Sequence, residues 1–192
     1  SEYFDDFWLY ITAKESWVWL YIFSLILLLT GKKKENFIPI GFSFYDIKPT
    51  YRNWFSFLLG IILLIVFTDQ SSNFFKDYFE RLRPCHDETI NSYIRIVKAS
   101  CGGLYGFFSA HAANSFALAS FFYFSFKSFS SNFKYLFLWA LIVSYSRIYV
   151  GVHFPIDIIS GIYFGIFLRG ISPDRSNPIG RSCCFLWFHT LE

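Results

Sequence analysis

Five stretches of the chain are apolar around the whole circumference of the helix that each would form. Their interruptions are mostly Ser, Thr, Asn and Gly, so none of them keeps the polar stripe that is typical of a surface helix. Each is also shorter than the 18 apolar residues that by themselves would predict a transmembrane helix. The alternative is therefore a set of buried helices in a soluble protein. The five stretches are residues 16–31, 54–67, 112–126, 135–145 and 158–168.

The size of the chain decides between these alternatives. A chain of 192 residues has too much surface for its volume to cover five helices that have no polar face. The stretches reach spanning length if the charged residues at their ends lie at the membrane interface. The pattern therefore predicts an all-α integral membrane protein, a helical bundle of about five transmembrane helices.

The composition agrees with a folded protein in lipid. Aromatic residues make up 24% of the chain and charged residues only 16%, which excludes an intrinsically disordered chain. The net charge of +3 is spread along the sequence and is too small an excess to indicate a nucleic-acid partner. We therefore expect the protein to be surrounded by the lipid bilayer and to have no nucleic-acid partner.

The positions of the basic residues predict the orientation of the bundle, because cytoplasmic loops carry the excess of Lys and Arg. With the N-terminus outside and the C-terminus inside, ten of the 17 basic residues fall on the inner face. Those ten are Lys32, Lys33, Lys34, Lys48, Arg52, Lys127, Lys134, Arg169, Arg175 and Arg181.

The segments outside the apolar stretches complete the domain picture. Residues 1–14 place aromatic and aliphatic side chains at helical spacing beside acidic ones, which predicts an interfacial helix on the outer face. This segment lacks the basic start and apolar core of a cleavable signal peptide. Residues 1–172 are expected to form one membrane-embedded domain, followed by a cytoplasmic tail, 173–192, of unassigned role.

Lys76 and Arg83 are the first residues with candidate chemistry. They are seven residues apart, so a helix that continued out of the second apolar stretch would carry both on one side, roughly 10 Å apart along its axis. Pro84 disfavours helical geometry at Arg83 and predicts the helix end there. The alternative is a pair of cations that extend to the membrane interface without a ligand.

Ser109, Ala110 and His111 begin the third apolar stretch on the same outer face. A helix start that offers a hydroxyl, free backbone N–H groups and the positive end of the dipole is suited to bind an anion. The alternative is an ordinary N-cap serine followed by an incidental histidine.

Ser146, Arg147, His153 and Asp157 surround the turn between the fourth and fifth stretches. Asp157 lies four residues after His153 and two after Pro155, a residue typical of a helix start. A carboxylate beside an imidazole fixes its tautomer and stabilises its cation, as a nucleophilic or basic histidine requires. The alternative for His153 is a hydrogen-bonded histidine at the interface.

The predicted topology brings these residues to one side of the membrane. Cations and imidazoles around a helix N-terminus are typical of a phosphate site, where the cations neutralise the phosphoryl oxygens while histidines attack and protonate. A metal site is disfavoured because permanent cations repel a divalent ion. The predicted set is Lys76, Arg83, Ser109, His111, Arg147, His153 and Asp157.

At these positions the sequence resembles the type-2 phosphatidic acid phosphatase superfamily of membrane lipid phosphatases. The first motif, K-x6-R-P, is present from Lys76 to Pro84, and the third, S-R-x5-H-x3-D, from Ser146 to Asp157. The second motif, usually P-S-G-H, departs twice from the family pattern, with Phe108 in place of Pro and Ala110 in place of Gly.

The resemblance implies a role for each matched residue. His153 would be the nucleophile that forms a phosphohistidine, Asp157 would orient it, and His111 would be the general acid for the leaving alkoxide. No metal or other cofactor is implied. The phosphate would be bound by Lys76, Arg83, Ser109 and Arg147.

The resemblance also limits the substrate to a lipid phosphate or pyrophosphate. The length is similar to that of bacterial inner-membrane members that act on lipid A, phosphatidylglycerol phosphate, undecaprenyl pyrophosphate or phosphatidic acid. The run CGGLYGF at 101–107 is similar to the corresponding segment of short lipid A phosphatases. The alternative from another class is a non-catalytic membrane protein that binds an anionic lipid through the same cations.

Four cysteines divide two and two by the predicted topology. Cys85 and Cys101 fall on the outer, oxidising face, and Cys183 and Cys184 fall on the inner, reducing side. The placement predicts a disulfide between Cys85 and Cys101. The alternative is two unpaired thiols in a long loop.

Overall fold

The computed structural model describes residues 2–13, 17–18, 51–98, 100–126 and 131–168. Within these residues the regular structure is helical, and no strand forms beyond one isolated bridge between Leu82 and Tyr105. The prediction of an all-α fold is confirmed. The helices are α1 (Asp5–Thr12), α2 (Tyr51–Phe79), α3 (Ala110–Phe126), α4 (Tyr135–Tyr149) and α5 (Pro155–Phe167), with short 3-10 turns at Glu2–Phe4, Pro84–His86, Asn91–Tyr93 and Ser131–Lys134.

Helices α2 to α5 lie at four of the five predicted spans. Helix α2 contains a segment, Leu58–Phe79, of 22 residues with a mean hydropathy of 1.6, which is long and apolar enough to cross a bilayer. Helices α4 and α5 are apolar but shorter. The first predicted span lies outside the described residues apart from Trp17 and Val18, as do most of the residues between the first two spans and the whole of the C-terminal tail, 173–192.

Helix α2 exposes large apolar side chains along part of its surface. Leu58, Ile62, Val66 and Phe67 are about half exposed although they are apolar. Contiguous exposed apolar surface of this kind is typical of an interaction with a membrane or another protein.

Helix α3 lies at the centre of the described bundle and packs against α2, α4 and α5. Its residues from 112 to 120 are all buried. Helix α5 approaches it closely at Gly161 and Gly165, where a Cβ atom would lie 2.7 Å from the Ser109 carbonyl oxygen and 2.4 Å from that of Ala113. Small residues four apart permit such a close approach between helices, and here it fixes α5 against the start of α3.

Helix α2 ends four residues earlier than predicted. It ends at Phe79, and Glu80 takes a positive φ of 45°, the left-handed conformation that often follows a helix C-terminus. The chain then runs extended, and the backbone N–H of Arg83 donates to the Leu104 carbonyl at 3.1 Å. The prediction that Lys76 and Arg83 share one helix face is therefore wrong, because the 101–106 segment pairs with this part of the chain.

Helix α1 is present where the N-terminal interfacial helix was predicted. It packs on α4, with the Trp8 ring 5.2 Å from the Tyr145 ring and 5.3 Å from the Tyr149 ring, centroid to centroid. Within the helix Phe7 and Tyr10 remain about half exposed, and Tyr3 and Phe4 in the preceding turn are also exposed. Its position at the membrane surface stays a prediction.

Candidate active site

His153 and Asp157 form a buried pair at the start of α5. Pro155 and Asp157 occupy the first turn, and Asp157 Oδ2 accepts a 2.9 Å hydrogen bond from the backbone N–H of Phe154. A carboxylate that reaches back to the residue before a helix stabilises the helix start. The same oxygen lies 3.6 Å from His153 Nδ1, and both side chains are almost inaccessible to solvent. The second imidazole nitrogen, Nε2, is thus on the side of the ring away from the carboxylate.

Burial decides the charge of His153. Loss of hydration lowers the pKa of its imidazole from the usual 6.5 to about 4, with Asp157 opposing the shift and Arg147 and Arg83 adding to it. The imidazole is therefore neutral at pH 7, the form that carries a lone pair for attack.

Arg81 holds the other oxygen of Asp157, and the sequence motifs did not point to it. Its Nη1 donates to Asp157 Oδ1 at 3.1 Å, and its guanidinium lies 4.5 Å from the centre of the Phe154 ring. Arg81 falls among the variable positions of the first motif, so no spacing rule could have identified it. The sequence showed only that the first motif contains a third basic residue, two positions before Arg83.

Gly106 packs directly on the His153–Asp157 pair. A Cβ atom at this position would lie 3.2 Å from Arg83 Cγ, 3.3 Å from Asp157 Oδ2 and 3.6 Å from His153 Nδ1. Its backbone N–H donates to the Arg81 carbonyl at 2.8 Å. Within the glycine-rich run, Gly106 therefore has a structural reason, since a side chain there would press on Arg83 and Asp157.

Arg83 fastens the 101–106 segment to the site. Its Nη1 donates to the Cys101 carbonyl at 2.8 Å and its Nε to the Tyr105 carbonyl at 3.1 Å. Burial lowers the pKa of the guanidinium, and Asp157 opposes that shift. An arginine side chain normally stays protonated far above neutral pH, so Arg83 remains a cation beside His153.

Ser109 connects the second and third motifs. Its backbone N–H donates to the Asp157 carbonyl at 3.0 Å, and its fully buried hydroxyl has no hydrogen-bond partner among the described residues. An N-cap serine would bond its hydroxyl to the first turn of α3, so the capping alternative does not describe this side chain. A buried hydroxyl without a partner is costly, and a ligand oxygen would satisfy it.

Lys76 and Arg147 complete a cluster of cations. Lys76 interacts electrostatically with Arg83 and Arg147, and both arginines also act on His153. Arg147 is 4% exposed, and its Nε has no hydrogen-bond partner within the described part of the chain. Like charges this close repel each other, so the cluster is built for an anion.

Lys76 is fixed to the second motif through α2. Ser72, one helical turn earlier, donates its hydroxyl to the Phe108 carbonyl at 3.0 Å. This bond links α2 to the residue that precedes Ser109. Phe108, which replaces the proline of the family pattern, is buried, and its ring lies 4.7 Å from the ring of Phe164 in α5.

His111 lies in the first turn of α3, two residues after Ser109. Its ring makes an edge-to-face contact with Trp17, with 5.7 Å between the centroids. It is partly buried. The structure thus brings six of the seven predicted residues together through direct contacts or electrostatic interactions and places His111 at the same end of α3.

Metal-ligand atoms come close together at one place in the described chain. Cys85, His86 and Cys101 offer ligand atoms within 4.8 Å of one another. The two sulfurs, however, are joined in a disulfide between Cys85 and Cys101, and only a thiolate is a good metal ligand. The oxidised pair is therefore a covalent link that holds the Arg83-Pro84 segment to the start of the 101–106 segment.

Comparison with known proteins gives a consistent result. The family model described as the PAP2 superfamily matches residues 53–173. A lipid A 4′-phosphatase of Porphyromonas gingivalis is 38% identical over 188 residues, which cover 93% of this chain and 71% of the relative. A lipid A 4′-phosphatase of Bacteroides thetaiotaomicron is 36% identical over 170 residues, which cover 87% of this chain and 67% of the relative.

A solved structure is similar in fold. It is the crystal structure of a transmembrane PAP2-type phosphatidylglycerolphosphate phosphatase from Bacillus subtilis, with a TM-score of 0.53 and 19% identity, and the alignment covers 88% of this chain and 74% of that chain. At this identity the likeness concerns the fold alone. Together with the family match and the two relatives, it confirms the resemblance that the motifs indicated: the chain belongs to the PAP2 superfamily and is a membrane lipid phosphatase.

Proposed function

We propose that this phosphatase hydrolyses a lipid phosphate through a phosphohistidine on His153, without a metal ion. The observation that carries the proposal is the buried His153–Asp157 pair, 3.6 Å apart, beside a cluster of cations. The neutral imidazole directs Nδ1 to the carboxylate, which leaves Nε2 for the phosphorus atom. Asp157 then stabilises the positive charge that develops on the ring.

The two chemical steps follow from this placement. In the first, the Nε2 lone pair attacks phosphorus, the ester P–O bond breaks, and His111 gives a proton to the leaving alkoxide. In the second, water attacks the phosphohistidine and gives a proton to His111, the P–N bond breaks, and inorganic phosphate leaves. Lys76, Arg83 and Arg147 neutralise the phosphoryl oxygens in both steps, and Ser109 donates its hydroxyl to one of them.

A lipid substrate fits the surroundings of the cations. Aromatic rings contact one another beside the site. The ring centroids are 4.7 Å apart for Phe79 and Phe107 and 5.5 Å apart for Phe75 and Phe108. Phe79 is half exposed. An amphiphilic phosphate would place its head group among the cations while its chains stay beside these rings and in the bilayer.

The preferred substrate that we propose is a lipid A-type phosphate. The two curated relatives are both named lipid A 4′-phosphatase, and the chain matches most of their length. Phosphatidylglycerol phosphate, undecaprenyl pyrophosphate and phosphatidic acid are the competing head groups. The proposed location is the bacterial inner membrane, with the N-terminus and the active site on the periplasmic face and the C-terminus inside.

The test is phosphate release by the purified protein in detergent from each of these four lipids, with glycerol phosphate as a soluble comparison. We expect the lipid A-type phosphate to be the best substrate, glycerol phosphate to be poor, and EDTA to leave the rate unchanged. Vanadate, which mimics the five-coordinate phosphorus, should inhibit. Equal efficiency on glycerol phosphate would refute the lipid selectivity, and a need for added Mg²⁺ would refute the metal-independent mechanism.

The competing function is a protein that binds an anionic lipid without turnover. His153→Ala separates the two, because a binder keeps its affinity whereas an enzyme loses three or more decades of turnover when its nucleophile is removed. Asp157→Asn should cripple phosphate release by removing the group that orients the imidazole.

A further inference from the structure

The N-terminal helix reaches the candidate phosphate site through one side chain. The hydroxyl of Thr12, at the end of α1, accepts a hydrogen bond from Nη1 of Arg147. Both residues are 4% exposed, so the contact is shielded from water. The family match begins at residue 53, so Thr12 lies outside the segment that carries the three motifs.

Arg147 has an unusual environment for a buried arginine. Among the described residues no carboxylate forms an ion pair with it. Its charged neighbours include Arg83 and Lys76, which repel it. A long, flexible side chain under such repulsion needs a fixed partner to hold one geometry, and Thr12 is the side-chain partner that the described residues supply.

Helix α1 is itself held in place on the end of α4 that carries Arg147. Asp5 pairs with Arg95, in the connection between α2 and α3, and accepts a 3.0 Å hydrogen bond from the Tyr149 hydroxyl. The Trp8 ring packs on α4 two residues beyond Arg147, at Tyr149. These contacts fix the backbone that presents Thr12.

We propose that Thr12 is a positioning residue for the phosphate-binding Arg147, supplied by a helix outside the motif-bearing segment. Its hydroxyl fixes the Nη1 edge of the guanidinium, and Nε, which has no partner among the residues that the structure describes, is then directed to the phosphoryl group. The inference rests on the proposed function, because it assigns phosphate binding to Arg147. It adds that α1 contributes a side chain to the active site, beyond its predicted role as an interfacial helix.

The test compares Thr12→Val, which keeps the shape and loses the hydroxyl, with Thr12→Ser, which keeps the hydroxyl. A lost hydrogen bond to a charged group predicts a fall in kcat/KM and in vanadate affinity on the order of tenfold to a hundredfold for the valine variant. The serine variant should stay within about threefold of the wild type. Thr68→Val is the matched control, since the bond of this buried threonine within the described part of the chain stays inside α2, to the Leu64 carbonyl at 2.7 Å, and should change neither quantity.

Three results would overturn the proposal. Unchanged kcat/KM and vanadate affinity in Thr12→Val would show that the hydroxyl is not needed, and equal losses in Thr12→Ser and Thr12→Val would assign the effect to packing. If Thr12→Val does not fold, Thr12→Ala is measured in its place. A vanadate affinity in Thr12→Ala equal to that of the wild type would likewise show that the hydroxyl is not needed. An inactive wild type, or an active His153→Ala, would instead refute the proposed function, so the two failures are distinguishable.

Discussion

Arg81 donates a 3.1 Å hydrogen bond from Nη1 to Oδ1 of Asp157, and this contact leaves Oδ2 to the imidazole of His153. The carboxylate is fully buried, whereas Arg81 is about one-third exposed. The orientation of the carboxylate therefore depends on a residue at the rim of the site, outside the motif positions of the family.

Arg81→Gln should lower kcat by on the order of tenfold or more, because the buried carboxylate loses its charged partner and is free to turn away from His153. Arg81→Lys should recover only part of the loss, since an ammonium does not reproduce the planar fork of a guanidinium. Phosphate release under saturating substrate measures both. Lys134→Gln is the control, because Lys134 also lies over an aromatic ring, that of Tyr135, but at the opposite end of α4. A wild-type kcat in Arg81→Gln would contradict the role given to this contact.

Gly106→Ala should reduce kcat/KM on the order of tenfold. The added methyl group would lie 3.2 Å from Arg83 Cγ and 3.3 Å from Asp157 Oδ2, tighter than an ordinary contact, so one of these two groups must shift by a few tenths of an ångström. Overpacking of this kind costs roughly 1 to 3 kcal/mol, so the apparent melting temperature in detergent should fall as well.

Gly103→Ala is the matched control for that substitution, because a Cβ atom at Gly103 meets no atom within 4 Å. It lies three residues away in the same segment. Equal kinetics for the two variants would show that contact with the pair does not matter at position 106.

Some residues of the site could be predicted from the sequence, and others, such as Gly106, could not. Lys76, His153 and Asp157 could be predicted because each has a charge or an imidazole at a fixed spacing from its neighbours. Gly106 and Arg81 act through backbone approach and through a contact across 76 residues, and neither leaves a periodic pattern. The helix positions could be predicted because long apolar runs must be buried or face lipid. The same requirement causes the helices to form a bundle.

The end of α2 shows the limit of local rules. Pro84 predicted a helix that continues to Arg83, yet the chain leaves the helix at Glu80. There Arg83 N–H donates to the Leu104 carbonyl and Gly106 N–H donates to the Arg81 carbonyl. That pairing depends on residues some twenty positions away. A local propensity argument does not include such tertiary contacts.

The stability of the protein should depend on pH through His153. Its pKa is lowered to about 4 in the folded state, whereas it is about 6.5 in an unfolded chain. The unfolded state therefore binds more protons between these values, and stability is lost as the pH falls through this window. The expected loss is about 2 kcal/mol at pH 5.

His153→Gln isolates this contribution, because glutamine does not titrate. Between pH 7.5 and pH 5 its apparent melting temperature should fall less than that of the wild type. Parallel curves for the two proteins would mean that His153 is not a buried neutral imidazole.

The bond between Cys85 and Cys101 should be present in the protein purified from membranes. It closes a loop with a sequence separation of 16 residues, which contributes roughly 3 kcal/mol in the chain-entropy model. It also holds the Cys101 carbonyl that accepts from Arg83. Reduction should therefore lower both the melting temperature and kcat/KM.

Mass spectrometry of the unreduced, alkylated protein checks this pairing. Cys183 and Cys184, predicted on the reducing side, are the internal control and should be alkylated without prior reduction. Alkylation of both Cys85 and Cys101 under the same conditions would rule out the bridge and the outer position of the loop.

The central claim, that His153 carries the phosphoryl group, is tested most directly by trapping the intermediate. Excess purified protein is mixed with the lipid phosphate, quenched in alkali at successive times within one turnover, digested and mapped by mass spectrometry; alkali is chosen because phosphohistidine is labile in acid. The account predicts a transient phosphate on the peptide that contains His153 in the wild type and none in His153→Ala. Phosphate on a different residue, or complete turnover with His153 unmodified at every time point, would contradict it.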